Sequence, residues 1–99
     1  MLNMTKIREG GALTLALEGR LDTTTAPELE KELGESLDGV TALTLDMKKL
    51  DYISSAGLRV LLIAQKRMNK QGAMKIANAG GAILEVFEVT GFSDILAVE

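Results

Sequence analysis

The chain has no cysteine, no histidine and no tryptophan. Without cysteine there is no disulfide framework, and the reducing cytoplasm is the expected setting. Without cysteine or histidine, Cys-His and Ser-His nucleophiles and the common zinc sites are closed to it. One tyrosine and two phenylalanines are too few for a base-stacking platform. The formal net charge of −3, from 14 acids against 11 bases, lacks the general basicity of a nucleic-acid binder. No apolar run is long enough to span a bilayer, and no basic region followed by an apolar stretch opens the chain. Neither direct membrane insertion nor secretion is expected. No metal or cofactor is expected either.

What is present is enough for one folded domain over residues 1–99, with 46% hydrophobic residues. Met4 to Arg8 and Leu13 to Glu18 alternate as strands do. Gly10-Gly11 between them predicts a tight hairpin, the pair supplying positive φ. Thr23 to Glu28 opens a helix, with Thr25 and Glu28 at capping-box spacing and Pro27 in the tolerant first turn. Leu29, Leu33 and Leu37 form one apolar stripe, and Glu28, Glu30, Glu32 and Glu35 a solvated opposite face. Val40 to Asp46 reads as the next strand.

A second helix is predicted from about Ser55 to Gln71, with Leu58, Leu61, Leu62, Gln65 and Met68 on one face and Gly72 as its stop. Met74 to Ala77 is a short strand. Ala82 to Thr90 is a third helix with Ile83, Leu84 and Phe87 inward, ended by Gly91, and Ile95 to Val98 is a last short strand. Strands alternating with helices from residue 13 onward imply right-handed crossovers and parallel neighbours. The expected fold class is α/β. A mixed sheet begins with an antiparallel hairpin, continues through β-α-β crossovers, and carries helices packed on it.

The stretch richest in chemistry is Leu50-Asp51-Tyr52-Ile53-Ser54-Ser55-Ala56-Gly57-Leu58. Two adjacent hydroxyls stand where the strand-and-loop pattern gives way to a helical apolar run. A hydroxyl there can cap the helix by accepting from an orphan backbone N–H. The same position suits a phosphate, because free N–H groups and partial positive charge collect at a helix entrance.

The segment Thr44 to Leu58, with its Ser54-Ser55-Ala56-Gly57-Leu58 core, closely resembles the signature of STAS domains, above all the bacterial anti-sigma factor antagonists. Leu17-Glu18-Gly19-Arg20-Leu21-Asp22 is similar to the family's turn after the second strand. Thr25-Ala26-Pro27-Glu28-Leu29 is similar to the start of its first helix, and Leu84 to Phe92 to a helix ending of that family. The resemblance implies the STAS architecture and a protein that binds an anti-sigma factor serine kinase of GHKL type. Phosphorylation of Ser55 by that kinase would dissolve the complex, and a serine phosphatase would reset it. Ser54, where relatives often carry Asp, is the secondary acceptor. Contacts to the partner are implied at Asp22, Asp51, Ser54, Ser55, Ala56, Gly57 and Arg59. Family members usually continue into a further C-terminal helix. With Glu99 as the last residue, the expectation is a core covered differently or an open sheet edge.

Each of these residues also has a plainer reading. Asp22 can serve its own turn. Asp46 is expected to order the loop before the serines, and Asp51 is either a surface charge or a partner contact. Arg59, Lys66, Arg67, Lys70 and Lys75 lie in a stretch without acids, which suits helix ends and solvated faces better than nucleic acid. Gly80-Gly81 lacks the ending of a phosphate-binding loop and reads as a turn. Two rival functions stand beside the main one. The first is a STAS accessory subunit of a lipid-transport ATPase or stress-sensing assembly, docking constitutively. The second is a small enzyme using Asp22 and Asp51 as an acid/base pair.

Overall fold

Apolar residues at every second position lay down the sheet. Leu13, Leu15 and Leu17 on one strand, and Leu43, Leu45 and Met47 on its neighbour, are buried. Thr14, Ala16, Thr44 and Asp46 between them are half-exposed. Successive side chains point to opposite faces, so one face is apolar and must be covered. The computed structural model describes residues 2–99. It orders them as β1 (Leu2–Glu9), β2 (Ala12–Leu21), α1 (Ala26–Ser36), β3 (Ala42–Ile53), α2 (Ser55–Met68), β4 (Ala73–Ala77) and α3 (Gly81–Thr90). The strands lie side by side in chain order, β1 antiparallel to β2 and the two following pairs parallel. Leu29 and Leu33 of α1, Leu58, Leu61 and Met68 of α2, and Ile83 and Phe87 of α3 join the strand residues in one buried cluster. Each such side chain contributes about 1.5–3 kcal/mol on burial. The expected mixed sheet with crossover helices is what forms.

Local details differ from expectation for identifiable reasons. In the hairpin turn only Gly10 takes positive φ (+60°), while a Cβ on Gly11 would stand 2.6 Å from Thr41 Oγ1. Glu32 is not merely solvated. It accepts from the Ser36 hydroxyl and pairs with Lys6 Nζ at 3.2 Å, and these contacts, Ser36 first, hold its carboxyl below the usual range. Helix α2 ends at Met68, three residues before the predicted Gln71, whose amide instead donates to the Leu37 and Val40 carbonyls at 2.6 and 2.7 Å. Gly72 follows without positive φ, and it is close approach that calls for glycine, since a Cβ there would lie 1.9 Å from the Thr41 carbonyl oxygen. Val60 and Ala64 are buried on α2, whereas Leu62 is half-buried and Leu84 of α3 is 38% exposed.

The C-terminal residues form no regular strand. Phe92–Asp94 is a single 3₁₀ turn, after which Val98 pairs with Ile76. The Ile76 N–H donates to the Ala97 carbonyl at 2.8 Å, and the Glu99 N–H donates to the Ile76 carbonyl at 2.9 Å. With Leu96 buried as well, part of the outer edge of β4 is covered from within the chain, in place of the open edge the sequence allowed.

The largest departure lies just before the serines. The expected loop after Asp46 is a continuation of β3 to Ile53. Pairing with β2 jumps from Ala16↔Asp46 to Glu18↔Lys49, and again from Gly19↔Leu50 to Arg20↔Tyr52. Each jump inserts one extra residue into β3, a bulge that keeps Met47, Leu50 and Ile53 buried at every third position. Asp46 orders the first irregularity, accepting from the Lys48 N–H at 3.0 Å and the Asn78 amide at 3.1 Å. It is an ordering residue, as expected, but of a bulged strand.

Candidate functional site

The two serines occupy different helical positions. Ser54 is in extended conformation (φ −98°, ψ 174°) and is the N-cap of α2. Its hydroxyl accepts from the Gly57 N–H at 3.4 Å, its carbonyl accepts from the Leu58 N–H at 3.0 Å, and its own N–H donates to the Leu21 carbonyl at 2.9 Å. The backbone of Ser54 thus lengthens the β2–β3 ladder by one bond before turning into the helix. Ser55 is the first helical residue and is exposed, its hydroxyl without a hydrogen bond among the described residues. Capping falls to Ser54, so Ser55 is left free for other chemistry.

Beside this entrance lies the turn after β2. Asp22 Oδ1 accepts from the Thr24 N–H at 3.0 Å, the Thr24 hydroxyl at 2.8 Å and the Thr25 N–H at 3.1 Å. The Thr25 hydroxyl accepts from the Asp22 N–H and donates to the Arg20 carbonyl, both at 2.8 Å. Thr25 therefore makes no capping box with Glu28, as its hydroxyl faces back into the preceding turn. Hydrogen bonds from the Thr24 side chain and the Thr25 amide above all lower the Asp22 carboxyl to about 2. Such a group is a weak base near neutral pH and holds no proton to donate, so Asp22 is ill suited to an acid/base pair with Asp51. The turn chemistry of Asp22 is real, and its half-exposed carboxylate follows Leu21, whose carbonyl accepts from the Ser54 N–H.

The sequence reading missed a surface pair at the same end of the sheet. Arg20 and Tyr52 face each other across β2 and β3, with the guanidinium carbon 4.2 Å from the ring centroid. Arg20 Nε also lies 3.7 Å from Asp22 Oδ2. Tyr52 is 41% exposed. The register jump that makes these two partners is invisible in a linear pattern, and the one tyrosine of the chain was the available signal. Asp51 and Arg59 are exposed and Ala56 is half-buried. Gly57, expected among the contact residues, is buried in the free chain. A Cβ on it would come within 2.7 Å of Leu21 Cγ and 2.9 Å of Ile53 Cγ1, so it seats α2 on the strand ends. The remaining residues converge at the carboxyl ends of β2 and β3, where open α/β sheets present their binding surfaces. Of the basic stretch, Arg67 pairs with Asp38 at 2.9 Å and Lys75 with Glu99 at 3.3 Å.

Known proteins resemble this chain in sequence and in fold. A Bordetella bronchiseptica protein named as the anti-sigma factor antagonist BtrV is 40% identical over 99 residues, covering 98% of this chain and 84% of that one. The crystal structure of an anti-sigma factor antagonist from Mycobacterium paratuberculosis superposes with a TM-score of 0.89 at 22% identity, covering 99% of this chain and 85% of that one. SpoIIAA, solved in unphosphorylated and phosphorylated forms, gives TM-scores of 0.83 and 0.75 at 15% identity, covering all of this chain and 88% and 91% of those chains. No helix among the described residues is long and apolar enough to cross a membrane. Residues 3–99 match the STAS domain, and the chain belongs to that family.

Proposed function

We propose that this protein is an anti-sigma factor antagonist, the whole chain acting as one STAS domain in the cytoplasm. It docks through the surface around Ser55 onto an anti-sigma factor that is also a serine kinase of GHKL type, which frees the sigma factor. The kinase then transfers the γ-phosphoryl group of ATP to Ser55. An Oγ–P bond forms, the bond from the γ-phosphorus to the bridging oxygen breaks, ADP leaves, and the hydroxyl proton passes to a base of the kinase. The complex dissociates, and a serine phosphatase later hydrolyses the phosphoester. In this scheme the protein is a substrate and a docking module, with no catalysis of its own.

The observation that carries the reading is the division between the serines: Ser54 caps, while Ser55 is exposed, its hydroxyl without a hydrogen bond among the described residues. Support also comes from the name of the Bordetella relative and from the existence of SpoIIAA in a phosphorylated form. Asp22, Asp51, Ser54, Ala56 and Arg59 form the contact surface with Ser55, and Arg20 and Tyr52 extend it. A phosphate at the helix entrance gains roughly 0.3–1 kcal/mol from the helix dipole, so the fold tolerates it. Like charges pressed together in a docked interface cost on the order of several kcal/mol, so release wins.

The test uses wild type and Ser55→Asp as baits side by side. Wild type should retain a GHKL-type kinase, and Ser55→Asp should not. After incubation with that kinase and ATP, mass spectrometry should find phosphate on Ser55 and none in Ser55→Ala. Recovery of a transport ATPase instead of a kinase, or phosphate on Ser54 alone, would overturn the proposal.

A further inference from the structure

One turn along α2 from Ser55 stands Arg59, exposed. Among the described residues its guanidinium has no ion pair. Helix α2, SAGLRVLLIAQKRM, contains no acid that could neutralise it. Side chains four apart on a helix are neighbours, their Cβ atoms about 5–6 Å apart. Helical side chains also lean toward the N-terminus, so the long arm of Arg59 can reach back over the turn that carries Ser55. The other charges at this end of the sheet are spoken for or repulsive. Arg20 lies over Tyr52 and beside Asp22, Asp22 is held ionised in its own turn, and Asp51 is a further acid at the end of β3.

We propose that Arg59 is a built-in clamp for the phosphoryl group on Ser55, closing an intrahelical phosphoserine–arginine pair. This rests on the reading of Ser55 as the phosphorylated residue. An anion N-terminal to its cation at this spacing is the favoured orientation on a helix. The guanidinium fork can meet two phosphate oxygens at once, which an ammonium cannot. The clamp pins the phosphate over the first turn of α2 instead of leaving it to sweep the surface. It also favours the dianion, so the switch carries its full charge at a lower pH than a free phosphoserine would.

The experiment installs phosphoserine at position 55 during translation, without any kinase, in the Arg59, Arg59→Ala and Arg59→Lys backgrounds. Phosphorus NMR then follows the second ionisation of the phosphate, which lies near pH 6 when unperturbed. With Arg59 present it should fall below that of Arg59→Ala by roughly 0.3–0.8 unit. Arg59→Lys should restore part of the shift, and 1 M salt should shrink it. Equal ionisation in the Arg59 and Arg59→Ala proteins, with unchanged circular dichroism, would overturn the clamp. Failure of the kinase to modify Ser55 would instead overturn the functional reading, and because the phosphate here is installed independently, the two failures are told apart.

Discussion

Ser54 and Ser55 carry the same hydroxyl, and one step of backbone separates their uses. Ser54 spends its oxygen on the Gly57 N–H, a bond at 3.4 Å that is long for a cap. Ser54→Ala should therefore cost about 0.5–1 kcal/mol, toward the lower end for N-caps. Ser55→Ala, at an exposed position, should stay within about 0.5 kcal/mol of wild type. Urea unfolding of the two variants checks the division, and equal losses would contradict it. Asp22 gives a prediction in pH. Its carboxyl drops from an ordinary value of 3.8 to about 2 in the folded chain, mainly through the Thr24 hydroxyl and Thr25 amide. The folded protein thus holds the proton less tightly than the unfolded one. The stabilisation is present above the unfolded value and is lost as pH falls through about 2. Asp22→Asn has no such titration. Its stability gap to wild type should close as unfolding is measured at successively lower pH between 4 and 2.

At the scale of elements, the serines are placed by two bulges and by the close approach of Gly57 to Leu21 and Ile53, while a second close approach, of Gly72 to Thr41, lies at the amino ends of β3 and β4. Gly57→Ala gains up to about 1 kcal/mol of helix propensity. Against that, overpacking onto Leu21 and Ile53 costs typically about 1–3 kcal/mol, for a net loss of about 1 kcal/mol. Gly72→Ala has no helix to favour it, and its Cβ would meet the Thr41 backbone oxygen at 1.9 Å and carbon at 2.6 Å, atoms that cannot swing aside. It should lose about 3 kcal/mol or more. Calorimetric melting of both variants should rank Gly72→Ala well below Gly57→Ala, and the reverse order would contradict the packing described. These elements also show where sequence is a good guide. The alternation of Leu13, Leu15 and Leu17 and the helical spacing of Leu29 and Leu33 are short-range patterns, and β2 and α1 were legible from them. The second half of β3 was not, because its bulges change the buried interval from two residues to three at Met47, Leu50 and Ile53. Neither Gln71 nor Gly72 betrays its use, since Leu37, Val40 and Thr41 reach them only through the fold. Ser55 stood out by local motif, whereas Arg20 over Tyr52 depends on a register that only pairing reveals.

For the whole molecule, the question is whether modification acts on the fold or on its surface. The formal net charge is −3, and a dianionic phosphate adds about two more negative charges. That change sits at an exposed first helical residue, outside the single cluster that joins Leu15, Leu45, Leu61 and Phe87. At its own position the phosphate meets the favourable end of a helix dipole, a gain of roughly 0.3–1 kcal/mol. At a docked surface, repulsion of several kcal/mol acts through an affinity that changes tenfold for about every 1.4 kcal/mol. Phosphorylation should therefore leave the slow hydrogen exchange of the Leu15, Leu45 and Leu61 amides unchanged. Chemical shifts should move only around the start of α2, the Asp22 turn and Tyr52. Over the same samples, affinity for the proposed kinase partner should fall by about 100-fold or more. Faster exchange at the three core amides after phosphorylation would mean that the fold itself gives way, and a switch confined to surface charge would have to be abandoned.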